Sequence, residues 1–143
     1  MKLFLLISFL LAASILSACS TASGVLAINN AWARSTQMGQ NGAIYFVIEN
    51  GTNEDDTLLS AYTDIASSTE IHMSMMDNQG VMSMQMQEAV QIPAEENIAF
   101  KTGGLHIMLI SLNRDLKVGG TFTLTLQFEK TGEISLLVEV KEQ

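Results

Sequence analysis

The chain is short of most groups that common metal, redox and nucleic-acid chemistry use. Among 143 residues there is one cysteine, Cys19, and there are two histidines, His72 and His106. A single thiol excludes an intrachain disulfide and any multi-thiolate metal site. Basic residues are scarce too, seven Lys and Arg against fifteen Asp and Glu, for a net charge of −8. No Lys/Arg cluster interrupts that acidity, which argues against a nucleic-acid interface and against docking to anionic lipid through a basic face. Internal repeats, long helical patterns and a nucleophile–base motif are also missing, so the sequence reads as that of a binding protein and not of an enzyme.

One continuous apolar run stands at the start, "MKLFLLISFLLAASILSACS". Lys2 gives it a positive head, and Leu3 to Leu16 form an apolar stretch too short and too close to the terminus for a membrane span. It ends in Leu16-Ser17-Ala18-Cys19, which resembles the bacterial lipobox. The resemblance implies a signal peptide over 1–18, a lipidated Cys19 and a short tether over 19–24. One domain over 25–143 then lies outside the inner membrane, in the periplasm or cell envelope. Lipid on Cys19 leaves the domain with no thiol, and the anchor is its only hold on a membrane.

From residue 25 onward the hydrophobic period is 2. "AIYFVIEN" (43–50), "DTLLSAYT" (56–63), "EIHMSMM" (70–76), "VMSMQMQEAV" (81–90), "NIAFK" (97–101), "LHIMLI" (105–110), "TFTLTLQFE" (121–129) and "ISLLVEV" (134–140) read as strands. Turn residues such as Asn50-Gly51, Gly103-Gly104 and Thr131-Gly132 separate them. With a first strand near 25–33, eight or nine strands predict an all-β Greek-key sandwich or barrel. Leu124, Leu126 and Phe128 share one face of the clearest hairpin, and Trp32, Phe46, Phe100, Phe122 and Phe128 are expected in the core.

What the chain does have is methionine beside histidine. Six of the eight methionines after Met1 fall within 73–86, in "IHMSMMDNQGVMSMQMQ" (71–87). A three-residue loop, Asn78-Gln79-Gly80, would oppose Ser74 to Met84 and His72 to Met86. His72, Ser74, Met76, Met82, Met84 and Met86 would then share a face. A two-residue loop would instead bring Met73 beside Met84. His106 and Met108 share a strand face, with Leu105, Ile107 and Leu109 turned to the core, which predicts a His/Met face on the outer side or one end of the sandwich. Thioether and imidazole without thiolate select Cu(I) among biological metals. Thioethers also survive in compartments where paired cysteines would oxidise. A blue-copper electron-transfer centre would need a cysteine ligand that the domain lacks.

The spacing is itself recognisable: His72-Met73, ten residues, Met84, twenty-one residues, His106, one residue, Met108. It resembles the H(M)x10Mx21HxM signature of the PCuAC family of periplasmic copper chaperones, and segments from "NNAWAR" (29–34) to "GGLHIMLISLNRDLKVGGTFTLTLQFEKTGEI" (103–134) look like family segments. The resemblance implies a cupredoxin-like β-sandwich that binds one Cu(I) per monomer. Its ligands would be His72, Met84, His106 and Met108, with Met73 at the signature's optional position; Met86, outside the signature, is a further auxiliary candidate. It implies delivery by ligand exchange to the CuA centre of cytochrome c oxidase subunit II or to another copper chaperone. Because the sequence ends at "VEVKEQ", no His/Met-rich tail for a second, Cu(II) ion is expected. Met75, Met76 and Met82 fall outside the signature, as shields, landing positions or hydrophobic cover. A copper-buffering or resistance protein and a metal-free β-sandwich binding module are the competing readings.

Overall fold

A computed structural model describes residues 24–142; the segment read as a signal peptide and Cys19 lie outside the described residues. Alternation of β-branched and aromatic residues with polar ones yields ten strands and, among the described residues, no helix. They are β1 (Leu26–Arg34), β2 (Gly42–Asn50), β3 (Asp56–Tyr62), β4 (Ala66–Met76) and β5 (Met82–Met86), then β6 (Val90–Ile92), β7 (Asn97–Phe100), β8 (Leu105–Leu112), β9 (Thr121–Phe128) and β10 (Glu133–Lys141). Their order in the sheet is β5-β4-β8-β7-β2-β1-β10-β9-β3-β6, with β8 pairing also to β2. The sheet folds over on itself, and the Thr69 hydroxyl of β4 donates to the Ala61 carbonyl of β3 across the gap.

The enclosed face is the core. Ile44, Phe46 and Ile48 of β2, Ile107 and Leu109 of β8, and Phe122, Leu124, Leu126 and Phe128 of β9 are all buried in one cluster. Phe46 stacks on Phe100 with ring centroids 4.4 Å apart. Each such side chain contributes about 1.5–3 kcal/mol on burial.

Two expectations are corrected. The stretch 81–90 is not one strand: β5 pairs with β4 at one end of the sheet order, and β6 pairs with β3 at the other. The alternation breaks at Gln87-Glu88-Ala89, where the chain crosses between them. Trp32 is not in the core. A bulge in β1 shifts the pairing between Asn29 and Trp32, with Asn30 at φ +56°, and sets Trp32 opposite Tyr45. Ala33 takes the buried position instead.

Away from the His/Met face, Asp56 at the start of β3 pins the β9–β10 turn. Its carboxylate accepts from the Thr57, Lys130 and Thr131 N–H groups and from the Thr131 hydroxyl. Burial pushes its pKa up, but these hydrogen bonds outweigh burial and hold it below the usual aspartate value.

Candidate metal centre

The site begins with a turn. Asp77 N–H donates to the Val81 carbonyl at 3.0 Å, and Gly80 N–H donates to the Asp77 carbonyl at 3.0 Å. The Asp77 side chain accepts from the Gln79 and Val81 N–H groups, and Gly80 sits at φ +81°, which glycine adopts at little cost. The loop is therefore Asn78 to Gly80, and it sets His72 opposite Met86, Ser74 opposite Met84 and Met76 opposite Met82. The exchange of bonds at Asp77 and Val81 makes these three the non-hydrogen-bonded pairs, where facing side chains come closest.

β8 lies on the other side of β4. It sets His106 opposite His72 and Met108 opposite Glu70, and β2 sets Ala43 opposite Met108. Directly opposed residues point to one side of a sheet. Met86, His72, His106, Tyr45 and Trp32 thus form one row across five strands, with Met84, Glu70 and Met108 in the flanking rows. The His72 and His106 ring centroids are 5.9 Å apart, those of Tyr45 and His106 are 6.4 Å apart, and those of Trp32 and Tyr45 are 4.8 Å apart. Met73 lies between Leu105 and Gln85 at the opposite parity, so it points to the other side of the sheet from His72.

His106 was expected on an outward face, and it does share a face with Met108, but it is only 5% exposed. Tyr45 of the neighbouring β2 covers it. The face forms a cleft of about 330 Å³, lined by Arg34, Ala43 and Tyr45, by Ser74, Met82 and Met84, and by His106 and Met108.

Hydrogen bonds decide which imidazole nitrogens are free. His106 Nδ1 lies 3.0 Å from the Gly104 carbonyl, which can only accept, so Nδ1 carries the proton and Nε2 keeps a lone pair. His72 Nε2 lies 2.7 Å from Glu70 Oε2, which fixes the proton there in the neutral ring. Its Nδ1 is then a buried acceptor with no partner among the described residues. A buried nitrogen without a partner is uncommon and fits a site meant to receive a Lewis acid. Among the described residues no three His, Cys, Asp or Glu side chains converge on a point, so a metal held here would draw on thioether sulfur.

The structure brings His72, Met84, His106 and Met108 to one face, adds Met86 opposite His72, and leaves Met73 on the other side. Sequence reasoning missed Glu70, Tyr45 and the outward turn of Trp32. Glu70 was within reach, two residues before His72 and hence on its face.

The LpqE-like family, described as "Putative lipoprotein LpqE-like", matches residues 26–140. RP573 of Rickettsia prowazekii, a protein without an assigned role, is 33% identical over 76% of this chain, which spans 62% of that protein's length. Lxx21020 of Leifsonia xyli subsp. xyli, likewise named as a lipoprotein, is 27% identical over 80% of this chain and 69% of its own. Among solved structures, the copper-bound PCuAC domain from PmoF2 superposes with a TM-score of 0.70 at 23% identity, covering 85% of this chain and 97% of that one. The Cu(I) form of DR1885 from Deinococcus radiodurans gives a TM-score of 0.65 at 27% identity, covering 88% and 84%. The chain belongs to the LpqE-like family of PCuAC-type domains, and its fold is the all-β, cupredoxin-like sandwich of that group.

Proposed function

We propose that this protein is a copper chaperone of the bacterial cell envelope, tethered through lipid on Cys19. It carries one Cu(I) as cargo on His72 Nδ1, His106 Nε2 and the sulfurs of Met84 and Met108. The observation that carries this reading is the pair of imidazole nitrogens left with free lone pairs on a face of thioethers, with, among the described residues, no thiolate and no carboxylate cluster to draw a harder metal. The structural likeness to the copper-bound PCuAC domain from PmoF2 and to the Cu(I) form of DR1885 supports it.

Met84 lies on an exposed strand, so its sulfur can leave the ion while the imidazoles hold it. An acceptor's ligand then replaces it, and copper passes through a shared intermediate without free ion in solution. The acceptor on this reading is the CuA centre of cytochrome c oxidase subunit II or a further copper chaperone, met by a monomer whose acidic surface favours a basic docking patch. Met86 is placed to assist His72, whereas Met73 would need the hairpin to rearrange.

Competition with a Cu(I) chelator tests the site. His106→Ala with Met108→Ala is expected to abolish tight binding, and Glu70→Ala to weaken it about 10–100-fold by releasing the His72 ring. Undiminished affinity in the double variant overturns the assignment. Normal oxidase activity at low copper in a strain lacking the protein would remove the delivery role and leave the carrier.

A further inference from the structure

Three methionines on the cleft side of the hairpin, Met76, Met82 and Met86, are not needed by the site just proposed. Two of them form a unit. Met76 and Met82 are directly opposed at a non-hydrogen-bonded position, next to the turn. Such pairs hold their Cβ atoms about 4.5–5.5 Å apart, and the three flexible torsions of methionine let both sulfurs reach one ion. Met82 and Met84 are neighbours on the same face of β5, and both line the cleft that holds His106 and Met108. The thioethers therefore run from the hairpin tip inward to the imidazoles without a gap.

Core packing does not account for them. Met76, at the end of β4, is 66% exposed, and Met82 and Met84, on β5 at the edge of the sheet, are 52% and 59% exposed. Apolar side chains left mostly in water contribute little by burial, and their remaining shared property is soft sulfur.

We propose that Met76 and Met82, with Met84 as the step inward, form a second soft-metal site made of thioethers alone, where Cu(I) lands before passing to the imidazole site. This rests on the imidazole site as proposed above. Neutral sulfurs on mobile, exposed side chains are less preorganised than the two imidazoles fixed by Glu70 and Gly104, so the tip binds more weakly and the ion moves inward.

The test uses protein labelled with ¹³C at the methionine ε-methyls, titrated with silver(I), a soft, diamagnetic d¹⁰ ion like Cu(I). The first equivalent is expected to shift the Met84 and Met108 methyls, and the second to shift Met76 and Met82 with a dissociation constant about tenfold or more weaker. In the Met76→Leu plus Met82→Leu variant, which conserves volume at exposed positions, the first step is expected unchanged and the second lost. In His106→Ala plus Met108→Ala, the tip is expected still to bind one ion. A second equivalent that leaves the Met76 and Met82 methyls unmoved, or a second step that survives in the leucine variant, overturns the tip site. So does a leucine variant that loses only binding to a partner protein. Loss of the first step in the unaltered protein overturns the imidazole site instead, so the two failures are distinct.

Discussion

The β4–β5 and β9–β10 hairpins use the same turn chemistry for opposite ends. Each turn carries a glycine in the left-handed region, Gly80 at φ +81° as the last residue of its loop and Gly132 at φ +83° just past its own, where its carbonyl accepts from Phe128 N–H. Each turn is tied by an aspartate, Asp77 from the position just before its own loop and Asp56 from a distant strand. Beyond the turns they diverge. β9 sits between β10 and β3 and buries Phe122, Leu124, Leu126 and Phe128, whereas every residue of β5 is exposed and, among the described residues, its outer edge is unpaired. A one-residue slip in β9 would expose four core side chains, so its register is fixed many times over. The register of β5, which decides whether Met84 or a neighbour meets the histidines, hangs on a few hydrogen bonds at the Asp77 turn. Functional segments are drawn from such weakly held regions, and on the reading proposed above Met84, the ligand that must let go of its ion, lies on one.

Four substitutions probe that contrast. Leu126→Ala in β9 is expected to cost about 2–5 kcal/mol of unfolding free energy, read from a denaturant titration, while the folded fraction keeps its Cu(I) affinity. A matching loss of affinity would mean that the hairpins are not energetically separable.

Asp56→Asn comes next, at about 1–3 kcal/mol near neutral pH, because a carboxylate serving four donors is replaced by an amide that serves them less well. The folded protein holds the Asp56 pKa below its unfolded value, so this stabilisation is present above the ordinary aspartate pKa. It is lost as pH falls through the folded-state value. The variant should therefore lose less stability than the parent on acidification, and parallel acid limbs would refute the assignment.

The smallest effect is the most telling. Gly80→Ala and Gly132→Ala each place a Cβ in open space at positive φ, so each costs about 1–2 kcal/mol of backbone strain. Only Gly80→Ala should also weaken Cu(I) binding, because only that turn sets the register of the site. Equal affinities for the two variants would show that β8, not the turn, positions the methionines.

Much of this was legible in the sequence. The period of 2 gave the strands, the Asp77–Gly80 pattern gave the three-residue loop with Ser74 opposite Met84, and the spacing of His106 and Met108 gave their shared face. The ligand set came from the family signature, and the strand registers now bring those residues to one face. What could not be read depended on partners distant in sequence. That β8 is the neighbour of β4 is a topological fact with no local trace. His106 is buried because Tyr45 arrives from β2. The bulge that turns Trp32 outward has only a faint signal, the Asn29-Asn30 pair, since asparagine tolerates positive φ. The free nitrogen of His72 follows from Glu70, and residue spacing alone does not reveal a tautomer.

The bulge at Asn30 has one more consequence. By rotating Trp32 out of the core and onto Tyr45, it gives the molecule an optical gauge. Trp32 is the only tryptophan in the chain, and one tyrosine ring separates it from His106. Its emission is placed to respond to changes at the imidazole face, so the arrival and departure of the proposed Cu(I) cargo can be sought in unlabelled protein, in real time, at a single wavelength.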